Sequence, residues 1–595
     1  IWMNNSGWQQ KNQSTACLRS VPRQVFKYFY LKHYSISLQK EDFTQYLAGF
    51  LCLVVYAGSL LFPLMDKDAA HHANIALHML EHNDYASLVD REMDYLDKPH
   101  FLFWSSALSF KIFGINTFAH RLPAVIFALI TVFSTYKLTR HLSDKTTAKI
   151  AALILATAEG FILSINDARM ETPLAAAIIF GLWHLVVYID KNKLVNIVLA
   201  ALGAAIAFST KGWIGVFIIF AAAFFYLLTG RKWKVLLSPK TWLFIPLFLV
   251  FISPVLYAYY LQYDLHPEKN IRGMTNISGV KFILWDQNFE RFKGDSFNKG
   301  GRNSSVFFLY HTFLWAFFPW CIAAYAALVF WIKRMTIRKK WNYPFNFAAL
   351  AFGFILFTIS FSKFKMPHYI FMLLPLAAVF TAPYLRLVLS FRKGIRFFYA
   401  LHLTIGILII VATLILNYYF FTPLNWFVQL AGPLAILAFI TFLLRRQFTK
   451  PVKLMYVGVF GLLLFNFYLN YNFFPNLFKY QGGNELVKVI EEKHINLDDS
   501  KLVLLDNNSH SFDFYRNVNH RVADPLLLKE QYDSLKGNLF LVNTPVANQL
   551  LIDGFKIDTI VSHPDYNVST MKLKFLNPST RWSKVDTLMV ARIYR

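Results

Sequence analysis

Long apolar runs with almost no charge dominate this sequence of 595 residues. Hydrophobic residues make up 56% of the chain and charged residues only 16%, whereas about 25% of residues are charged in an average soluble protein. A helix needs about 20 mostly apolar residues to cross the hydrocarbon of a bilayer. The runs therefore predict an α-helical, polytopic membrane protein. The same composition, with only 3 cysteines, excludes a disordered chain and a disulfide-rich secreted module.

Applying this length along the chain predicts about thirteen membrane-spanning helices. The predicted spans are 45–65, 118–139, 147–165, 172–189, 194–210, 213–229, 241–262, 306–331, 345–361, 367–390, 396–417, 427–444 and 452–472.

Basic residues collect in every second loop between these spans. The basic groups are Arg140 and Lys145; Lys191 and Lys193; Arg231, Lys232, Lys234 and Lys240; Lys333, Arg334, Arg338, Lys339 and Lys340; Arg386, Arg392, Lys393 and Arg396; Arg445, Arg446, Lys450 and Lys453. Because lysine and arginine accumulate in short cytoplasmic loops, we expect the N-terminus to be cytoplasmic. The formal net charge of +26 is explained by these loops, and no nucleic-acid partner is predicted.

This orientation predicts the organisation of the chain. We expect a cytoplasmic arm at 1–44 and a membrane region at 45–473, whose polar loops 66–117 and 263–305 lie outside the cytoplasm. Residues 474–595 are expected to form a small extracytoplasmic α/β domain, with strands at Leu502–Leu505, Leu539–Val542 and Thr587–Ile593. In the first outer loop, Ala69, Ala73, Ala76 and Leu80 recur at helical spacing, which predicts a juxtamembrane helix.

Two carboxylates, Asp66 and Asp68, follow the first predicted span on its outer side. One interpretation is that Asp68 caps the helix that follows, since aspartate is favoured at that position. The other is functional, because the spacing imitates the Asp-x-Asp metal–nucleotide motif of soluble glycosyltransferases. Phosphate-binding loops and dinucleotide fingerprints are absent from the sequence.

A second group of charges, Asp167, Arg169 and Glu171, lies between two apolar spans. Acids at such a depth are costly and usually functional. An interfacial ion pair between Asp167 and Arg169 is an equally good interpretation.

Four cations near span ends oppose the positive-inside trend, because they lie on the outer side: Lys98, Lys211, Arg291 and Lys365. Each by itself is compatible with an ordinary interfacial charge. Together they predict a binding site for an anion at the outer membrane boundary. The histidines His71, His72 and His311 are compatible with a divalent metal ion, the one cofactor that we consider, although hydrogen-bonded interfacial histidines are commoner.

Several short motifs occur in a fixed order along the chain. They are the acid that starts the outer-loop helix, Tyr95-Leu96-Asp97-Lys98-Pro99, Arg121-Leu122-Pro123, the acid before the fourth span, Thr210-Lys211-Gly212, Gln287-Asn288-Phe289-Glu290-Arg291-Phe292, Pro319-Trp320 and Lys365-Met366-Pro367-His368-Tyr369. In order and spacing, over about residues 45–475, they resemble the GT-C glycosyltransferases of the protein O-mannosyltransferase and lipid A aminoarabinose transferase superfamily, glycosyltransferase family 39.

The resemblance implies a GT-C fold and an enzyme of the inner membrane whose site faces the periplasm or exterior. It implies a polyprenyl-phosphate sugar, such as an undecaprenyl-phosphate sugar, as donor. The acceptor is expected to be lipid A, another lipid or glycan, or a protein. Donor and acceptor on opposite faces of the sugar would give inversion. A transporter or flippase of a lipid-linked anion is the alternative, since it would use the same outer cations and many spans.

The resemblance also implies roles for individual residues. Asp68 and Glu171 match the two catalytic acids, and Lys98, Arg291, Tyr95 and Tyr369 match residues that bind the donor phosphate. Candidate substrate-binding residues are Asp66, His71, His72, Asp167, Arg169, Lys211, His311 and Lys365. His71 and His72 stand where Arg-Tyr is commoner in relatives.

Overall fold

The computed structural model describes residues 38–271, 273–287, 305–389, 391–423, 426–445, 450–505 and 509–595. Within these ranges, nine helices are long and apolar enough to cross a membrane. They are Thr117–Leu142, Glu171–Lys191, Leu194–Lys211, Trp213–Gly230, Pro239–Asp264, Pro367–Val388, Lys393–Phe420, Trp426–Leu444 and Lys453–Tyr480. The helices Lys145–Ala156 and Glu159–Asn166 meet at 55° and make a tenth if they form one span. The chain is an integral membrane protein.

The predicted number of thirteen spans is not confirmed by these lengths. The predicted span 345–361 is the helix Asn346–Ser360, whose 15 residues are about 22 Å long and too short to cross about 30 Å of hydrocarbon. The predicted span 306–331 is divided between the helices Phe308–Ala316 and Cys321–Thr336. The first predicted span, 45–65, is only partly helical: the helix Leu38–Gly58, which is apolar from Thr44 onward, ends seven residues before the predicted span does.

The first outer loop is folded around its own small core. It contains a π-helical turn, Asp66–Ala70, that continues into the helix His71–Glu81, then the antiparallel strands β1 (Val89–Asp90) and β2 (Met93–Asp94), and the helix Phe101–Phe113. The alanines of the predicted helical face are buried in this core with Leu102, Phe103 and Phe110. The helix is therefore confirmed, and its apolar face packs inside the loop.

The interpretation of Asp68 as a helix cap is wrong. Asp68 lies inside the π-helical turn, and no side chain caps that turn or the helix after it. The helix instead continues directly from the turn, because Ala70 has helical backbone angles. The Asp68 carboxylate is left for another partner.

The C-terminal region contains a five-stranded sheet with the strand order β4-β3-β5-β7-β6. The strands are β3 (Leu502–Leu504), β4 (Arg521–Val522), β5 (Leu539–Asn543), β6 (Lys556–Asp565) and β7 (Asp586–Tyr594). β3 runs parallel to β4 and β5, whereas β7 is antiparallel to β5 and β6. The three predicted strands are confirmed as β3, β5 and β7.

Helices cover both faces of this sheet because its strands alternate. Val503 and Phe540 face the helices Leu528–Leu535 and Thr544–Ile552. Leu502, Leu504 and Leu541 face the helices Gly482–Glu492 and His510–Arg516 on the other side. This alternation follows the two-residue period of a strand.

The helix His510–Arg516 also contacts the first outer loop. The backbone N–H of Ser511 donates to Asp66 Oδ1 at 2.7 Å, and the Asn74 amide donates to the His510 carbonyl at 3.0 Å. The hydroxyl of Tyr515 accepts a hydrogen bond from the backbone of Leu64 at 3.0 Å. The C-terminal region is thereby held against the loop that carries Asp68, and Asp66 takes part in that contact.

Arg121 joins three segments that are distant from one another along the chain. Its guanidinium, 1% exposed, donates to the carbonyls of Pro63, at 2.7 Å, and Asn166, and its carbon lies 4.4 Å from the centre of the Phe62 ring. Two separate nitrogens of the planar guanidinium reach the two carbonyls, a geometry that the single nitrogen of a lysine at this position does not reproduce.

We expect Arg121→Lys to lower the free energy of unfolding by about 1–3 kcal/mol, because one buried carbonyl loses its donor. Thermal unfolding of the purified protein in detergent measures this loss. The same substitution at the exposed Arg140 should leave stability within about 0.5 kcal/mol. Equal losses at the two positions would contradict the role of Arg121.

Candidate functional site

Arg169 is the centre of a charged cluster built from two distant segments. It lies in the short connection between the helices Glu159–Asn166 and Glu171–Lys191. One nitrogen of its guanidinium is 2.9 Å from Asp68 Oδ2, and the other pairs with Asp167. Burial by itself would lower the pKa of Arg169, but the two carboxylates outweigh it and raise the pKa above its usual range. Asp68 therefore faces a permanent positive charge.

Glu171 and Lys211 form a buried ion pair next to this cluster. Lys211 Nζ lies 2.8 Å from Glu171 Oε1, and both side chains are 6% exposed. Glu171 is the first residue of its helix and Lys211 the last of its own, so both charges complement the helix dipoles. The His368 ring nitrogen lies 3.6 Å from the same carboxylate oxygen, and the Lys211 ammonium lies 4.6 Å from the centre of the Tyr369 ring.

Lys98 and Tyr95 come from the loop that follows β2. The Lys98 ammonium pairs with Asp97, and the Gln287 amide donates to the Asp97 carbonyl at 2.6 Å. The Tyr95 ring packs edge-on against the His71 ring, with 5.1 Å between ring centres. The predicted donor-phosphate residues of this loop therefore lie beside the helix that starts at His71.

His72 lies where three of the motifs meet. Burial lowers the pKa of His72 well below its usual range, the charges of Lys98 and Arg169 lower it further, and Glu171 opposes them. Lys98 lies far along the sequence from Arg169 and Glu171, so these charges belong to two distant segments, and His72 lies in a third stretch of the chain. The structure thus brings the first acid, the loop lysine and the charges before the fourth predicted span to one place.

A second group of titratable side chains lies beside this cluster. Asp90 Oδ2 is 3.7 Å from His71 Nε2 and 3.4 Å from His510 Nδ1. Burial raises the pKa of Asp90 to about 7 and lowers the pKa of His71 to about 4. The charges of Asp68 and Lys98 also act on His71, so the two groups are within electrostatic range of each other.

The remaining predicted site residues bind backbone groups or lie outside the described ranges. The Lys365 ammonium is buried and donates to the carbonyls of Ser305, at 2.9 Å, and Ser360, at 2.8 Å. These hydrogen bonds connect the loop of Lys365 to both of these backbone segments. His311 is exposed, and its ring nitrogen lies 3.4 Å from the carbonyl of Phe307 in the preceding turn. Arg291 lies outside the described residues.

The histidine set that the sequence suggested for a metal differs from the set in the structure. Among the described residues, the group whose ligand atoms all lie within 4.8 Å of one another is His71, Asp90 and His510. His72 and His311 do not belong to it. No pattern in the sequence marked Asp90 or His510 as site residues. His368, in contrast, lies inside the motif that ends in Tyr369, so that motif could have identified it.

The two carboxylates that the resemblance matches to catalytic acids, Asp68 and Glu171, differ in solvent exposure. The Asp68 side chain is 47% exposed, whereas Glu171 is enclosed by its cationic partners. An exposed carboxylate held beside a cation can accept a proton or stabilise a neighbouring positive carbon. An enclosed carboxylate instead orients the groups that surround it, here Lys211 and His368.

Sequence comparisons identify relatives of this chain. Residues 97–258 match the family described as dolichyl-phosphate-mannose-protein mannosyltransferase. An uncharacterized protein of Aquifex aeolicus is 27% identical over 423 residues, which cover 71% of this chain and 76% of that protein. The undecaprenyl phosphate-alpha-4-amino-4-deoxy-L-arabinose arabinosyl transferase of Pseudomonas aeruginosa is 25% identical over 339 residues. That match covers 55% of this chain and 58%, less than two thirds, of the transferase.

Solved structures share the fold. The crystal structure of ArnT from Cupriavidus metallidurans bound to undecaprenyl phosphate superposes with a TM-score of 0.69 at 16% identity, covering 91% of this chain and 97% of that one. The apo structure of the same protein gives a TM-score of 0.67. The expected fold class, a helical membrane protein with a small C-terminal α/β region, is confirmed by this likeness.

Proposed function

We propose that the chain is a membrane glycosyltransferase of the protein mannosyltransferase and aminoarabinose transferase family and that it moves a sugar from a polyprenyl-phosphate donor to an envelope acceptor. The observation that carries this proposal is the exposed Asp68 carboxylate, held 2.9 Å from Arg169 in the neighbourhood of Lys98. We further propose that this site faces the periplasm of an inner-membrane protein, as the basic loops predict.

The chemistry requires both signs of charge. Breaking the bond between the sugar and the lipid phosphate leaves positive charge on the anomeric carbon and negative charge on the departing phosphate. Lys98 would stabilise the phosphate, and such a donor contributes on the order of 3 kcal/mol to the transition state. Arg291, matched to the arginine that neutralises the same phosphate, remains a prediction.

Asp68 would act on the other partner. It would remove the proton from an acceptor hydroxyl, or orient an acceptor phosphate and stabilise the developing carbocation. Attack from the face opposite to the leaving phosphate would invert the sugar configuration. Arg169 neither gives nor takes a proton in this step, and we propose that it positions the Asp68 carboxylate.

The second acid has a different role in this proposal. Glu171 is buried against Lys211, so we propose that it positions the ammonium of Lys211 and the rings of His368 and Tyr369. These groups would form the wall of the site that faces the lipid phosphate. Asp66, which holds the C-terminal region, would contribute through the placement of its loop.

Undecaprenyl phosphate is our preferred donor lipid, because it stands in the name of the Pseudomonas aeruginosa transferase and is bound in a solved structure with the same fold. Lipid A or another lipid or glycan is our preferred acceptor, and a protein acceptor is the other outcome of the test. The named relatives are transferases, and the comparisons give no support to a transporter or flippase.

The proposal is tested with the full chain in detergent and a radiolabelled undecaprenyl-phosphate sugar. Acceptor pools of lipid A, envelope glycan and envelope protein are supplied separately. We expect release of free undecaprenyl phosphate, with label in the lipid or glycan pool. Intact donor in every reaction would contradict the proposal.

Lys98→Met should lower kcat/KM by about 100-fold, because it removes a cation worth about 3 kcal/mol from the leaving phosphate. The control is Lys67→Met, which removes an exposed lysine from the same loop and should leave kcat/KM within about twofold. Similar losses in both variants would point to general loop charge and contradict a specific role for Lys98.

A further inference from the structure

We propose that His71, Asp90 and His510 bind one divalent transition-metal ion of the zinc class, at a site distinct from Asp68 and Lys98, which the proposed function assigns to the acceptor and to the donor phosphate. The three side chains come from three elements: the start of the helix His71–Glu81, the strand β1, and the start of the helix His510–Arg516. Two imidazoles and one carboxylate are a common donor set for zinc.

Two of the three separations between ligand atoms fit a metal better than they fit hydrogen bonds, and all three atoms lie within 4.8 Å of one another. Zinc bonds of about 2.0–2.2 Å in a tetrahedral arrangement place ligand atoms about 3.4 Å apart. Asp90 Oδ2 lies 3.4 Å from His510 Nδ1 and 3.7 Å from His71 Nε2. Both separations exceed the 2.7–3.2 Å that is usual for N–H···O bonds.

A neighbouring pair shows what a hydrogen-bonded histidine looks like in this protein. His520 Nδ1 lies 2.7 Å from Asp513 Oδ1, and Asp513 also pairs with Arg91. That network uses short hydrogen bonds and compensates the positive charge that Arg91 would otherwise place beside Asp90. The wider spacing between Asp90 and its two histidine neighbours is therefore specific to the proposed metal ligands.

Unused polar atoms give a second, independent observation. His71 Nε2, His510 Nδ1 and Asp90 Oδ1 are buried without a hydrogen-bond partner among the described residues, and the Asp90 side chain is only 6% exposed. A buried polar atom without a partner costs about 1–3 kcal/mol. A cation bound by Asp90 Oδ2 and the two ring nitrogens would satisfy both nitrogens together.

The placement gives the ion a defined effect. It would join the C-terminal region, through His510, to the loop helix that begins three residues after Asp68. Three protein ligands also leave one coordination position for water or a substrate oxygen. The inference concerns metal binding, so it stands or falls separately from sugar transfer.

Metal content of the purified full chain tests the proposal. Tag-free protein in detergent is stripped with a chelator, equilibrated with Zn²⁺ and analysed by mass spectrometry of the metal, and Co²⁺ absorption reports the ligand geometry. We expect one ion per chain and a melting temperature that rises with Zn²⁺. Since loss of an indirect partner already weakens metal binding by about 10–100-fold, His510→Gln and Asp90→Asn should each weaken it by at least about 100-fold.

The control is His494→Gln, which changes an exposed histidine of the same C-terminal region and should bind zinc as the unaltered chain does. Circular dichroism checks that each variant is folded, and His510→Gln decides the outcome if Asp90→Asn does not fold. Equal binding by all variants, or no stoichiometric binding by the unaltered chain, would overturn the proposal.

Discussion

Asp68→Asn is expected to reduce sugar transfer by about 10²–10⁴-fold, the usual contribution of a general base. The substitution keeps the size and the planar shape of the side chain, but an amide cannot accept the acceptor proton or stabilise a cationic carbon by its charge. Release of free undecaprenyl phosphate from the labelled donor measures the loss. Expression and the melting temperature should change little, because the side chain is 47% exposed.

Asp167→Asn is the matched control for this experiment. Asp167 pairs with the same guanidinium as Asp68, so its variant changes the charge around Arg169 without altering the carboxylate that would meet the acceptor. We expect a loss well below that of Asp68→Asn. If Asp68→Asn retains full activity, or if the two variants lose activity equally, Asp68 is not the base.

Lys211→Met is expected to lower the free energy of unfolding by about 3–5 kcal/mol, because it leaves the Glu171 carboxylate buried without its ammonium partner. The double variant Glu171→Gln, Lys211→Met should regain most of this loss, since no unpaired charge is then buried. Thermal unfolding of the single and double variants gives the coupling energy of the pair.

The control for this pair is Lys501→Met in the exposed ion pair of Lys501 with Asp498, whose atoms are 3.3 Å apart. An exposed pair contributes about 0–1 kcal/mol, so the variant should be nearly as stable as the unaltered chain. A similar small loss for Lys211→Met would show that the Glu171 pair is not desolvated. A double variant no more stable than Lys211→Met would show that the loss comes from packing.

Both expected effects depend on residues whose positions along the chain were predictable and whose partners were not. The sequence singles out Asp68, Arg169, Glu171 and Lys211 as charges in an apolar chain. It leaves open whether Arg169 pairs with Asp167 alone, and it allows Asp68 to cap a helix. In the structure Arg169 pairs with both acids, because the connection before the helix Glu171–Lys191 lies against the first outer loop.

Lys365 shows the same difference between position and contact. Its place on the outer side, against the positive-inside trend, predicts an anion site together with Lys98 and Lys211. The structure gives its ammonium two backbone carbonyls instead. A charge count along the sequence cannot separate these two uses, because both place a cation near a span end.

The sequence by itself determined the membrane class, the approximate spans and the strands of the C-terminal region, and it predicts the orientation. These properties depend on hydropathy, on loop charge and on the two-residue period of strands, which are local along the chain. Tertiary structure alone decided that Asp68 meets Arg169, that Glu171 is enclosed by Lys211, and that His510 reaches Asp90. Such contacts join side chains from distant segments, and they arise only when the helices and the C-terminal sheet pack around buried polar groups whose partners no local pattern records.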